Sequence, residues 1–141
     1  MTPDENTEQM NEQGKSDLSD FKAPEPAKGF PVVGIGSSAG GVDALKKFFS
    51  NTSPNSGMAY VSIIHLSPDQ QSMMPDILKK QTDMPVYEIE DGMEVEINAV
   101  YLNPSDKDVT IQDGLFSLMD IEGKHSGRLP IDRFLRSLAK E

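Results

Sequence analysis

A doubly wound α/β domain, with a mostly parallel sheet and one antiparallel hairpin, is the fold class this sequence predicts. Three observations carry the prediction. Short apolar runs, "FPVVGIG" (30–36), "MAYVSIIHL" (58–66) and "MPVYEIE" (84–90), are separated by amphipathic stretches of helical length. From residue 93 the pattern changes to alternation of apolar and polar residues, with Asp113-Gly114 between "VTIQ" and "LFSLM". The last thirteen residues, "LPIDRFLRSLAKE", return to helical period. A strand, helix, strand, helix, strand order calls for parallel pairing with right-handed crossovers.

Each element has its own signals. The first strand ends in glycine, and "VDALKKFFSN" follows it with Val42, Leu45, Phe48 and Phe49 on one face and lysines on the other. "SPNSG" (53–57) is a turn before the second strand. Ser67 is the expected N-cap of the next helix, with Pro68 in its first turn and Gln70 three residues after the cap. Met73, Met74, Ile77 and Leu78 supply its apolar stripe. Pro75 falls inside the stripe and predicts a kink or a restart there. "MEVEINAVYLNP" and "DVTIQDGLFSLMD" read as alternating strands, the second folded at Asp113-Gly114. In the closing helix Pro130 stands at the start, and Ile131, Phe134, Leu135 and Leu138 share a face.

Composition narrows the function. The chain has 141 residues, 36% of them hydrophobic, and a formal net charge of −10. Residues 1–28 hold three basic and seven acidic residues and few β-branched ones, and are expected to be a disordered acidic tail. The remainder, 29–141, is one domain's worth of chain. Such acidity argues against nucleic acid or anionic membrane as partner. With no Cys, thiolate chemistry and disulfides are out, and two distant His give no metal site. No cofactor is expected. Neither a membrane span nor a secretory signal is visible, so a cytoplasmic location is expected.

The loop "GIGSSAGG" (34–41) lies at the carboxyl end of the first strand, where α/β sheets gather their chemistry. Three motifs compete for it. Gly34-x-Gly36-x-x-Ala39 matches a dinucleotide fingerprint, yet His65-Leu66 stands where the ribose-binding carboxylate belongs. A P-loop needs Gly-Lys followed by Ser or Thr, and Gly40-Gly41-Val42 lacks both. Gly36-x-Ser38-x-Gly40 matches the G-x-S-x-G nucleophile elbow, in which the hydroxyl is exposed on a strained turn and glycines relieve the crowding. The last selects Ser38 over Ser37 as nucleophile. His65, at the carboxyl end of the second strand, is the candidate general base. If the two strands are neighbours, their ends lie roughly 5 Å apart. His125 sits in the polar loop "EGKHSGR" and is expected to be solvated.

Four blocks, "VVGIGSSAGGVDALKKF", "IIHLSPDQQSMMPDIL", "EDGMEVEINAVYLNP" and "LPIDRFLRSLA", resemble in that order the CheB-type protein-glutamate methylesterase domain, above all the form fused to a CheR-type methyltransferase. The resemblance covers about residues 30–141. It implies a doubly wound α/β fold and a serine hydrolase that demethylates glutamate esters of chemoreceptors, in some members also deamidating glutamine. It implies Ser38 as nucleophile and His65 as general base. Methylated chemoreceptor cytoplasmic domains are the implied partners, with a CheR-like methyltransferase beside them. The best-known form of the family carries an N-terminal receiver domain, for which residues 1–28 are too short. The family's third catalytic residue is an aspartate in a glycine-rich loop beyond the last block, so this chain, ending at Glu141, is expected to hold the domain incompletely, truncated at its C-terminus. Asp69 and Asp91 are the nearest substitutes by sequence, and both are expected on the surface. The alternative reading is a catalytically inactive remnant or a receptor- or partner-binding module.

Overall fold

The computed structural model describes residues 29–121 and 129–141. The tail 1–28 and His125 lie outside the described residues. Strand β1 (Val32–Ser37) leads through a single 3₁₀ turn, Ala39–Gly41, into helix α1 (Val42–Ser50). Then come β2 (Ala59–Ile64), α2 (Pro68–Lys79), β3 (Val86–Glu88) and β4 (Val100–Leu102). The hairpin β5 (Lys107–Gln112) and β6 (Leu115–Asp120) follows, and α3 (Pro130–Leu138) closes the chain.

Four strands form one parallel sheet in the order β1-β2-β4-β3, and β5 and β6 form a separate antiparallel pair. Alternate residues of the sheet enter two cores. On one side Tyr60, Ile64, Val100 and Leu102 pack with Leu45 and Phe49 of α1 and Met74 and Leu78 of α2. On the other, Ala59, Val61, Ile63 and Tyr101 pack with Val109, Ile111 and Phe116 of the hairpin and Phe134 of α3. Helices thus cover both faces, as a doubly wound sheet requires, with the hairpin sharing one of them.

Several expectations need correcting. Val100–Leu102 falls in the stretch read as alternating apolar and polar residues. It is a parallel strand wedged between β2 and β3. The cause is visible in "AVYL", a continuous apolar run that can be buried on both faces. The alternation just before it has a different use. Met93–Val95 runs beside β6, with Phe116 N–H donating to Met93 O at 2.8 Å and Val95 N–H to Gly114 O at 2.9 Å. Helix α2 runs through Pro75 without restarting. Its inward positions are Gln71, Met74 and Leu78, while Met73 faces solvent. Ser67 is the N-cap, but its side chain makes no capping bond. Phe48 and Leu135 are the outlying members of their predicted stripes, 43% and 39% exposed.

The glycines of β1 explain how α3 sits. Gly34 and Gly36 face α3, while Val33 and Ile35 face the other core. A Cβ on Gly34 would lie 2.8 Å from Cδ2 of both Leu135 and Leu138, and one on Gly36 would overlap the Cγ2 methyl of Ile131. The backbone of β1 is therefore the surface on which α3 rests. Further bonds tie α3 to the hairpin. Ile111 N–H donates to Ser137 Oγ at 3.1 Å, and Arg133 pairs with the buried Asp108 at 2.7 Å. The Glu141 carboxylate accepts from Asp113 and Gly114 N–H at 2.7 and 2.8 Å, closing the hairpin turn.

Gly36→Ala is expected to destabilise the chain by about 1–3 kcal/mol, because the overlapped methyl branches directly from Ile131 Cβ and cannot swing away. Gly34→Ala meets the flexible ends of Leu135 and Leu138 at 2.8 Å and the ring of Phe134 only at 3.3 Å, and should lower stability less. Urea unfolding checks both, and Ile131→Ala added to Gly36→Ala should recover part of the loss. A second expectation concerns alkaline pH. Tyr101 Oη accepts from Glu96 N–H at 2.7 Å, and burial pushes its phenol above the ordinary tyrosine range. The unfolded chain then ionises first, so stability is complete below about pH 10 and declines as pH rises further. Tyr101→Phe should flatten that decline in unfolding curves taken between about pH 9 and 11.

Candidate active site

The register of the sheet builds the site. β1 pairs with β2 residue by residue, from Val32 with Ala59 to Ser37 with Ile64. The next residue on each strand is Ser38 on one and His65 on the other. The condition set by the sequence, that the two strands be neighbours, is met. Their junction is held by His65 N–H donating to Ser37 O at 3.4 Å.

The two serines part here. Ser37 is the last residue of β1, and its buried Oγ has no hydrogen-bond partner among the described residues. Ser38 is exposed and caps the 3₁₀ turn without a side-chain bond of its own. Its backbone is ordinary extended chain, with φ −99° and ψ −179°. The strained elbow expected from G-x-S-x-G is therefore absent. The reversal is made by the turn instead, where Gly41 N–H donates to Ser38 O at 2.8 Å. The glycines also have other reasons than expected. Gly36 makes room for Ile131, and a Cβ on Gly40 would meet nothing within 4 Å. Gly41 is the glycine that matters at the turn, since a Cβ there would lie 2.8 Å from Ser37 Cβ. Helix α1 starts next, so the positive end of its dipole lies at the same end of the sheet as Ser38.

His65 is exposed at the end of β2. No hydrogen bond joins its imidazole to Ser38 among the described residues. It borders two depressions. One is an apolar groove of about 410 Å³ lined by His65, Leu129, Pro130, Ile131 and Asp132. The other, of about 70 Å³, has Gln71, Asn103 and Asp106 among its walls. Ser38 is not among the residues lining either.

The acids considered from sequence lie elsewhere. Asp69 is exposed in the first turn of α2, and Asp91 Oδ1 accepts from Leu118 N–H at 2.8 Å, which gives it a place in the hairpin. The carboxylates that border His65's depressions are Asp132 and Asp106, which sequence spacing did not single out. They arrive there through the fold, Asp132 because α3 crosses β1 and Asp106 because the chain turns back after β4 at a positive φ of 58°. Among the described residues no group of three or more His, Asp or Glu could hold a metal ion. Nor is any described helix long and apolar enough to cross a membrane.

The comparisons with known proteins agree with one another. Residues 33–141 match the family model described as CheB methylesterase. The protein-glutamate methylesterase/protein-glutamine glutaminase of Bacillus subtilis is 27% identical over 125 residues, covering 86% of this chain and 35% of that protein. Its namesake from Thermotoga maritima is 32% identical over 92 residues, covering 65% of this chain and 27% of the relative. The chain thus spans about a third of the length of these relatives. The crystal structure of the Thermotoga maritima CheB methylesterase catalytic domain superposes with a TM-score of 0.66 at 27% identity, covering 79% of this chain and 61% of that one. With its parallel sheet, its covering helices and a family match over residues 33–141, the chain belongs to the CheB methylesterase family.

Proposed function

We propose that this chain carries the nucleophile and general base of a protein-glutamate methylesterase, Ser38 and His65. The observation that carries the reading is the pairing of Ser37 with Ile64, which leaves Ser38 and His65 as the next residues on adjacent strands. The exposure of both side chains supports it, since a macromolecular ester must reach them. Ser38 Oγ attacks the carbonyl of the glutamate methyl ester while His65 takes its proton. The tetrahedral intermediate collapses and expels methanol, protonated by the imidazolium. Water, deprotonated by His65, then hydrolyses the acyl-enzyme to free glutamate and serine. Glutamine would follow the same route with ammonia as leaving group.

The substrates in this reading are methylated cytoplasmic domains of chemoreceptors, with the chain in the cytoplasm. The resemblance to the fused form adds a CheR-type methyltransferase as a second partner. A second reading, a receptor-binding chain without catalysis, draws on the missing hydrogen bond between Ser38 and His65. In catalysis by triad, a carboxylate holds the imidazole, and its loss can lower turnover around 10⁴-fold in the protease example.

Labelling by a fluorophosphonate, with the modified residue located by mass spectrometry, separates the readings. The expected result is label on Ser38, abolished by Ser38→Ala, reduced at least tenfold by His65→Ala and retained in Ser37→Ala. Methanol release from methylated receptor should follow the same order. A folded chain that takes no label and releases no methanol would leave the binding reading in place.

A further inference from the structure

Among the described residues the His65 side chain has no hydrogen-bonded partner, yet the backbone around it is held from three directions. Strand β4 stops at Leu102, and its last main-chain bond to β2 is Asn103 N–H donating to Ser62 O at 3.4 Å. The side chain of Asn103 takes over. Its Oδ1 accepts from Ile64 N–H at 2.8 Å and its Nδ2 donates to Ile64 O at 2.9 Å, so one amide meets both main-chain groups of Ile64. Gln71 reaches in from α2. Its Nε2 donates to Ile64 O at 3.2 Å and to Asn103 O at 2.8 Å, and its Oε1 accepts from Leu66 N–H at 3.4 Å. Both amides are buried, 6% and 8% exposed, a rare placement for such groups and one that demands partners. The bonds grip the residue before His65 and the residue after it. On the far side His65 N–H itself is bonded to Ser37 O.

We propose that Asn103 and Gln71 are positioning residues that lock the backbone on both sides of His65 and so aim its imidazole at Ser38; the inference rests on the reading of Ser38 and His65 given above. An exposed imidazole with no hydrogen-bonded partner among the described residues takes its placement from its own Cα. Fixing Ile64 and Leu66 fixes that Cα and the direction of the Cα–Cβ bond, leaving two side-chain torsions to be settled. The two amides come from different elements, one at the end of β4 and one on α2, so the clamp also ties the site to both layers of the fold. A displacement on the order of 1 Å at a reacting group can lower a rate about 100-fold.

The test is the rate of fluorophosphonate labelling of Ser38 in the full chain, resolved into reagent affinity and the first-order rate of reaction. Asn103→Leu and Gln71→Leu are expected to lower the first-order rate about 10- to 100-fold with affinity unchanged, and to speed hydrogen exchange at the amides of Ile64 and Leu66 respectively. Met84→Ala serves as control, a buried position in the same core as Ile64 but before β3, at the opposite end of the sheet. At a matched loss of thermal stability it should label at the wild-type rate. Asn103→Ser, which keeps a short polar side chain, stands in should Asn103→Leu not fold. A wild-type chain that labels, with the amide variants labelling equally fast, would overturn the positioning role and leave Ser38 and His65 standing. The positioning role falls equally if Met84→Ala slows labelling as much as the amide variants do. A folded wild type that does not label would overturn the reading of the pair and this inference with it.

Discussion

Strand β2 is buried along all six of its residues and hydrogen-bonded along both edges. Such a strand has no freedom of placement. Its side chains enter a core on each face, all of them apolar but that of Ser62, and a slip of one residue would exchange Tyr60 and Ile64 with Ala59, Val61 and Ile63 between two differently shaped cores. The register with β1 is therefore enforced by packing at every rung. Because Ser38 and His65 follow the last rung directly, the register of the core is also the register of the site. In this reading the sheet's main constraint brings the two strand ends together, and the buried amides of Asn103 and Gln71 hold the backbone on either side of His65.

The glycine-rich segment has two functions, and the structure separates them. Gly34 and Gly36 present bare backbone to α3, so that Phe134, Ile131 and Leu138 pack against β1 and the hairpin core. Gly41 permits the tight turn after Ser38. The first function sets the second one's surroundings. Once α3 rests on β1 and is tied to β5 through Ser137 and Asp108, its first turn is obliged to lie beside His65, and Leu129–Asp132 become one wall of the groove there. Helix packing on the glycines and the shape of the site are thus one arrangement seen from two ends.

Much of this was legible in the residues themselves. The parallel strands before residue 90, the hairpin at Asp113-Gly114 and the helix begun by Pro130 all carry local signals, because period and turn chemistry are properties of short segments. That Ser38 and His65 follow the ends of strands was legible too. The place of Val100–Leu102 was not. An apolar run of three residues can join any sheet, and which neighbours it takes depends on strands distant in sequence. Glycine misled in its own way. A residue without a side chain records that something is close, and Gly36 gave no sign that the close thing was Ile131 rather than a crowded serine.

By itself, then, the sequence determined the class of fold, the family and the two residues at the strand ends, since each rests on patterns that neighbouring residues complete. Only the tertiary structure decided what surrounds them: the unstrained backbone at Ser38, the groove walled by α3, and the buried amides of Gln71 and Asn103 around Ile64 and Leu66. The physical reason is range. A hydrogen bond between residues 39 positions apart, as between Asn103 and Ile64, is specified by the packing of whole elements, and no local period or spacing encodes it.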